Sequence, residues 1–269
     1  MPNDEKEQDR LDLIHHMYLI MLDGDLVVAP VENPQGILDI GTGTGIWAID
    51  VADQFPAAVV IGTDLSPIQP SWVPPNCKFQ VDDAESDWSF GKNSFDLIHS
   101  RHLMTSIRDW PKYIKQIYDS LKPGGWVQML EHDFILCSDD NSLAPDSYLR
   151  HWFDLYNIAT EKINLPTISH KLSEILEEAD FMEVTQTIYG LPWGPWAKDK
   201  KLKEIGAWML ANTESSFEAY GLAFMTRVLN KTSEEAKGIC DKAHKELRGK
   251  KIHVYNKHYV IVGRKPLGT

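Results

Sequence analysis

The stretch Ile37-Leu38-Asp39-Ile40-Gly41-Thr42-Gly43-Thr44-Gly45-Ile46-Trp47-Ala48 decides how this chain folds. Four residues of strand character run into glycines at alternate positions, and a helical pattern opens at Ile46. Alternate glycines let the backbone turn tightly and approach a ligand with no Cβ in the way. The following helix N-terminus presents unpaired N–H groups and the positive end of its dipole. The pattern predicts the nucleotide-binding turn of a doubly wound α/β domain.

Three features select the ligand. The spacing is G-x-G-x-G, whereas a pyrophosphate-binding dinucleotide turn uses G-x-G-x-x-G. Asp39 lies two residues before the first glycine, at the strand end, where a carboxylate suits a cationic or amine-bearing ligand. The next strand-like run, Val59–Thr63, ends in Asp64, 19 residues beyond Gly45. A carboxylate there accepts two hydrogen bonds from a ribose diol. S-adenosylmethionine fits this set, with S-adenosylhomocysteine as its product. Asp39, Gly41, Thr42, Gly43 and Gly45 are then the expected cradle and Asp64 the ribose acceptor.

Working outward, strand and helix alternate regularly. Residues 7–22 read as an amphipathic helix closed by Asp23-Gly24. Strands are predicted at 37–40, 59–63, 78–81, 95–100 and 126–130, with helices at 46–54 and 111–121. Lys122-Pro123-Gly124-Gly125 reads as the stop of the second helix, and Ser66–Pro75 as a Pro-rich irregular loop. Such alternation argues a parallel sheet with right-handed crossovers, and ligands gather outside the carboxyl ends of such strands. Asp39, Asp64, Asp83, Ser100, Arg101, Glu131 and His132 all fall at such ends. After Ser138 the pattern turns helical over 147–162, 171–179 and 198–248, with strands at 183–189 and 253–263. The last two strands read as an antiparallel finish to the sheet, with a helical cap between them. The expected organisation is a single domain over 1–269: an N-terminal helical lid (1–30), a cofactor-binding core (31–137), a mainly helical substrate cap with one strand (138–252) and a final strand (253–269).

Composition bounds the function. The chain has 269 residues, 43% of them hydrophobic, enough for a large core. A net charge of −12 leaves no basic face for phosphate neutralisation, so nucleic acid is not an expected partner. No apolar run nears the roughly 18–20 residues that span a bilayer, and the charged start, Met1-Pro-Asn-Asp-Glu-Lys-Glu7, does not read as a signal peptide. Cys77, Cys137 and Cys240 are widely spaced and fit free thiols in a reducing compartment, so the expected location is the cytoplasm, or the nucleus for a regulator.

The segments DIGTGTGIWAID (39–50), GTDLSPIQPSWVPPN (62–76), DDAESDW (82–88), LKPGGWVQMLE (121–131) and LPWGPWAKDKKLKEIG (191–206) carry a family resemblance. Together the chain resembles the fungal class I methyltransferases related to the secondary-metabolism regulator LaeA. The glycine turn and LKPGG are shared widely among methyltransferases; QPSWVPPN and PWGPW are more specific to this group. The resemblance implies a seven-stranded Rossmann-like α/β sheet, S-adenosylmethionine binding, and methyl transfer to O, N or C of a small molecule. It also implies Leu65, Asp83 and Ala84 beside the adenine. Alternatives are a regulatory methyltransferase-like subunit that binds protein partners, and a cyclase or isomerase using the sulfonium charge electrostatically.

Ser100 and Arg101 follow the fourth strand, where the methyl-donating end of the cofactor is expected, and Arg101 suits the cofactor's carboxylate or an acid of the N-terminal segment. His102 is a candidate general base, since unperturbed histidine titrates near pH ~6.5. Glu131 and His132 are a second candidate, the carboxylate orienting an imidazole that takes the acceptor's proton. The spacings suggest no metal site: His15-His16 on one helix face different directions. Trp193, Trp196 and Tyr220 are candidate walls of an aromatic substrate pocket, equally suited to packing within the cap.

Overall fold

The glycine turn sits where the sheet reverses its strand order. In the computed structural model, which describes residues 3–165 and 168–268, β1 (Gly36–Ile40) pairs in parallel with β2 (Val59–Asp64) on one side and β4 (Phe95–Arg101) on the other. β3 (Cys77–Val81) extends the first side and β5 (Leu121–His132) the second, again in parallel. With β6 (Met182–Pro192) and β7 (Tyr255–Arg264) the sheet has seven strands in the order β3-β2-β1-β4-β5-β7-β6. This is the Rossmann-like class I arrangement, with helices inserted between the last two strands.

Two compact units compose the chain. One comprises Asp25–His132, Ile168–Ile188 and Tyr259–Thr269 and holds the strands through β5. Its core lies between β1 and α2 (Ile46–Gln54): Ile37, Trp47, Ala48, Val51, Val60 and Leu97 are buried together. Fully burying a side chain of this size contributes about 1.5–3 kcal/mol, and strands covered on both faces read as near-continuous apolar runs. α3 (Trp110–Ser120) forms because Asp109 caps it, accepting from Lys112 N, with Pro111 in the first turn. Its apolar residues Trp110, Tyr113, Ile114 and Ile117 recur at helical spacing on the buried face. Asn76 ties the end of α2 to the second strand, its amide donating to Ala52 O, Phe55 O and Ala58 O.

β5 is longer than the sequence predicts. The LKPGG segment does not stop at a turn; Leu121 already pairs with Phe95, and pairing resumes at Leu97 with Trp126. The extra residues form an irregularity in which Gly124 takes φ +82°. Gly124 N donates to Lys265 O, and Lys265 N to Gly125 O, both at 2.9 Å.

The second unit comprises Met1–Gly24, Asp133–Thr167 and Tyr189–His258. Its helices are α1 (Glu5–Met21), α4 (Tyr148–Lys162), α6 (Lys200–Ala223), which continues into a π-turn over Phe224–Val228, and α7 (Ser233–Arg248); the short α5 (Leu172–Glu178) belongs to the first unit. α1 packs on α6, and α7 on both α4 and α6. Close packing has a visible cause at Gly221, where a Cβ would stand 2.6 Å from the Trp152 indole nitrogen. α7 opens with a capping box between Thr232 and Glu235.

Candidate functional site

Gly41, Gly43 and Gly45 take φ of +68°, +58° and +84°, conformations that L side chains rarely adopt. The space around them is also claimed: a Cβ on Gly41 would lie 2.6 Å from Leu103 Cδ2, and one on Gly45 would run into the Phe79 ring. Thr42 N donates to Thr63 O, which ties the turn to the end of β2. Gly45 begins α2 with no side-chain cap, so the first-turn N–H groups have no side chain competing for them. The donor set and the alternate glycines fit a nucleoside-bearing ligand at the sheet's switch point.

Asp39 works inside the fold. It is 2% exposed, accepts from the Thr42 hydroxyl at 2.6 Å, and lies 2.7 Å from His99 Nδ1. The His99 ring in turn stacks on Trp47, centroids 3.6 Å apart and 8° from parallel. One carboxylate oxygen therefore holds the turn through Thr42 while the other ties it to His99 on β4. His99 has no part in the sequence-based site; the signal for it is an imidazole directly after Leu97-Ile98 in a strand, and the fold pairs it in register with Asp39.

Asp64 closes β2. Its Oδ2 accepts from Gly43 N and its Oδ1 from Ser66 N, both at 2.9 Å. A carboxylate oxygen has two lone-pair sites, so each retains one for a diol. Leu65, next in the chain, is 67% exposed, an uncovered apolar side chain at the strand exit. Asp83 shapes the loop after β3, accepting from Glu85 N and the Ser86 hydroxyl. Ala84 O receives the Trp88 indole N–H.

At the end of β4, Ser100 is fully buried beside the Tyr113 phenol, whose ionisation burial pushes far up while the Ser100 contact opposes the shift. Arg101 is half-buried at the strand's last position. His102 takes φ +58°, an uncommon conformation for a non-glycine residue, and donates its N–H to Leu130 O. Its ring lies 4.8 Å from that of His132. Glu131, fully buried, accepts from Leu103 N at 2.9 Å and Met104 N at 3.1 Å, one on each oxygen. The carboxylate thus fixes the backbone just after His102, and the two imidazoles are brought together at the ends of adjacent strands.

In the helical unit, Trp193 is buried, with its indole N–H on Asn256 Oδ1. Tyr220 is buried too, packed 5.3 Å from the Phe134 ring with the Arg10 guanidinium 4.9 Å from its own. Trp196 is 37% exposed and lines a 270 Å³ cavity with Leu210, Leu247, Ile252 and His253.

With this geometry in place, likeness to known proteins becomes informative. A model of the methyltransferase domain matches residues 13–186. The chain belongs to the methyltransferase family. Methyltransferase pytC of Aspergillus terreus is 42% identical over 269 residues, covering 98% of this chain and 82% of that protein. The secondary metabolism regulator laeA of Aspergillus fumigatus is 39% identical over 273 residues, covering 100% of this methyltransferase and 73% of the relative. Among solved structures, phosphoethanolamine N-methyltransferase 2 of Haemonchus contortus, in complex with phosphomonomethylethanolamine and S-adenosylhomocysteine, aligns with a TM-score of 0.55 at 22% identity. That alignment covers 94% of this chain but 53% of the nematode enzyme, about half of its length, and bears on the fold alone.

Proposed function

We propose that the protein binds S-adenosylmethionine at the 41–45 turn and transfers its methyl group to O, N or C of a small molecule of fungal secondary metabolism. The observation that carries this is the joint of glycine turn and Asp64: a backbone turn with three positive-φ glycines at alternate positions, and a carboxylate aligned on it by Gly43 N. Leu65 offers an apolar face for the adenine, with Asp83 and Ala84 at its edge, and Ser100 and Arg101 stand at the methionine end. When bound, the cofactor supplies an electrophilic methyl on a sulfonium sulfur. The chain's own contribution is to hold the acceptor in line and keep water out.

For an acceptor that carries a proton, His102 and His132 are the groups that take it, and Glu131 positions the segment beside them. Trp193, Trp196 and Tyr220 belong to the cap that shapes the acceptor's pocket. A cytoplasmic location, or a nuclear one for a regulator, is part of this reading, and the three free thiols, which fit a reducing compartment, support it. Kinship with pytC and laeA supports methyl transfer in fungal secondary metabolism. The test is incubation of purified protein with methyl-labelled S-adenosylmethionine and extracts of a producing fungus. Label is expected in a small-molecule fraction with a mass gain of one CH₂; no labelled product in any extract would count against the reading.

A further inference from the structure

Gln69 lies in the Pro-rich loop after β2, outside every role assigned so far, and its amide reaches back to the glycine turn. Nε2 donates to Gly43 O at 2.6 Å and to Ser66 O at 2.9 Å. Both partners are carbonyl oxygens, which only accept, so the NH₂ end of the amide must face them, and its two hydrogens suffice for the two bonds. Asp64 holds the other side of the same residues through Gly43 N and Ser66 N. Each of these two residues is therefore gripped twice, N–H by the carboxylate and C=O by the amide. The result is a closed bracket of four hydrogen bonds between the turn after β1 and the loop after β2.

The bracket has consequences for a ligand. Gly43 takes φ +58° and carries no side chain that would restrict it. Its conformational freedom is large, and a loose peptide there would let both the turn and the Asp64 carboxylate wander. With Gly43 N–H and C=O both held, the two peptide units that flank its Cα are fixed in orientation, and the free lone pairs of Asp64 with them. Preorganisation of this kind raises affinity by removing ordering cost from the binding step. Gln69 and Gly43 are 26 residues apart in sequence, and this bond joins them.

We infer that Gln69 is a positioning residue of the cofactor site, aligning the Gly43 peptide and Asp64 for the ribose. This deepens the S-adenosylmethionine reading and rests on it. The experiment titrates S-adenosylhomocysteine by calorimetry into wild type, Gln69→Leu, Asp64→Asn and the double variant, with thermal unfolding of each. Gln69→Leu keeps the size and removes both donors. Its dissociation constant is expected to rise about tenfold, the scale of one to two lost net hydrogen bonds. Because both side chains hold the same two residues, Gly43 and Ser66, the double variant should lose less than the product of the single losses; a role confined to general stability would give a simple product. Gln69→Glu, which turns acceptors toward two carbonyl oxygens, should bind more weakly than Gln69→Leu. If Gln69→Leu does not fold, Gln69→Asn, too short to span both carbonyls, carries the same expectation. Wild-type affinity in Gln69→Leu or, in its place, Gln69→Asn, or strictly multiplicative losses, would overturn the inference while leaving the cofactor reading intact. Absence of binding by wild type would overturn both.

Discussion

Replacing Gly45 by alanine puts two separate loads on one residue. Gly45 holds φ +84°, and a Cβ in the left-handed region costs roughly 1–2 kcal/mol. The added methyl would also stand 2.8 Å from Phe79 Cε1 and 3.1 Å from Cε2, well inside contact. Nor has the ring a place to retreat, because the same Phe79 lies against Gly62, whose own Cβ would meet Cδ1 at 2.7 Å. Overpacking of this sort costs roughly 1–3 kcal/mol. Together the loss is about 2–5 kcal/mol, a fall in Tm on the order of 10 °C. The cheapest relief is a shift of the turn, so S-adenosylhomocysteine affinity should fall with it. Gly238→Ala is the matched control: it sits inside α7, has no positive φ, and its Cβ would meet nothing within 4 Å. That change should stabilise by about 0.5–1 kcal/mol. Thermal unfolding and calorimetry of the two variants read both effects. Gly45→Ala with wild-type Tm and affinity would refute the steric argument.

Glu131→Gln replaces one accepting oxygen by an N–H₂ facing either Leu103 N or Met104 N, leaving a buried donor unmet at a cost of about 1–3 kcal/mol; faster hydrogen exchange at those two amides is expected, and unchanged exchange would contradict the role given to the carboxylate. Burial works to raise the pKa of Asp96, but Lys122 Nζ and the Gln35 and Gly36 N–H groups, each 2.8 Å from Oδ2, outweigh it and hold the carboxyl below its usual value. Between the folded and unfolded pKa the unfolded chain binds more protons, so this stability is present above pH ~3.9 and lost as pH falls through the folded value. Urea midpoints from neutral to acid pH should fall less steeply for Asp96→Asn than for wild type; parallel curves would count against the assignment. Burial first, then the charge of Asp39 and Asp53, pushes the Cys77 thiol up to about 11, and burial likewise raises Cys240 to about 11. Iodoacetamide on the native protein should therefore modify Cys137, which is half-buried, well before the other two, with all three reacting in denaturant.

Much of this fold is legible because its strands and helices announce themselves locally. The glycine turn, the apolar runs at 37–40 and 95–100, and the periodic face of α3 each carry their own signal, and the strand ends followed from them. The start of β5 does not: Leu121 joins the sheet through pairing with Phe95, and no local pattern distinguishes that from a helix stop. The same limit governs the site. Asp64 is visible as an acid closing a strand, whereas Gln69 is a polar residue in a proline-rich loop until the chain folds it onto Gly43. Asp39 is visible as an acid at a strand end, but its partner His99, 60 residues on, is not. Glu131 is likewise visible as a strand-end acid, whereas its bonds to the Leu103 and Met104 amides emerge only in the fold.

The central claim is tested most directly by calorimetric titration of S-adenosylhomocysteine into the 269-residue wild-type chain, repeated with Asp64→Ala. Saturable heat at one ligand per chain is expected for wild type, with marked weakening when the carboxylate that meets Gly43 and Ser66 is removed. No heat in wild type, or equal affinity in both proteins, would contradict the assignment of the glycine turn and Asp64 to this cofactor.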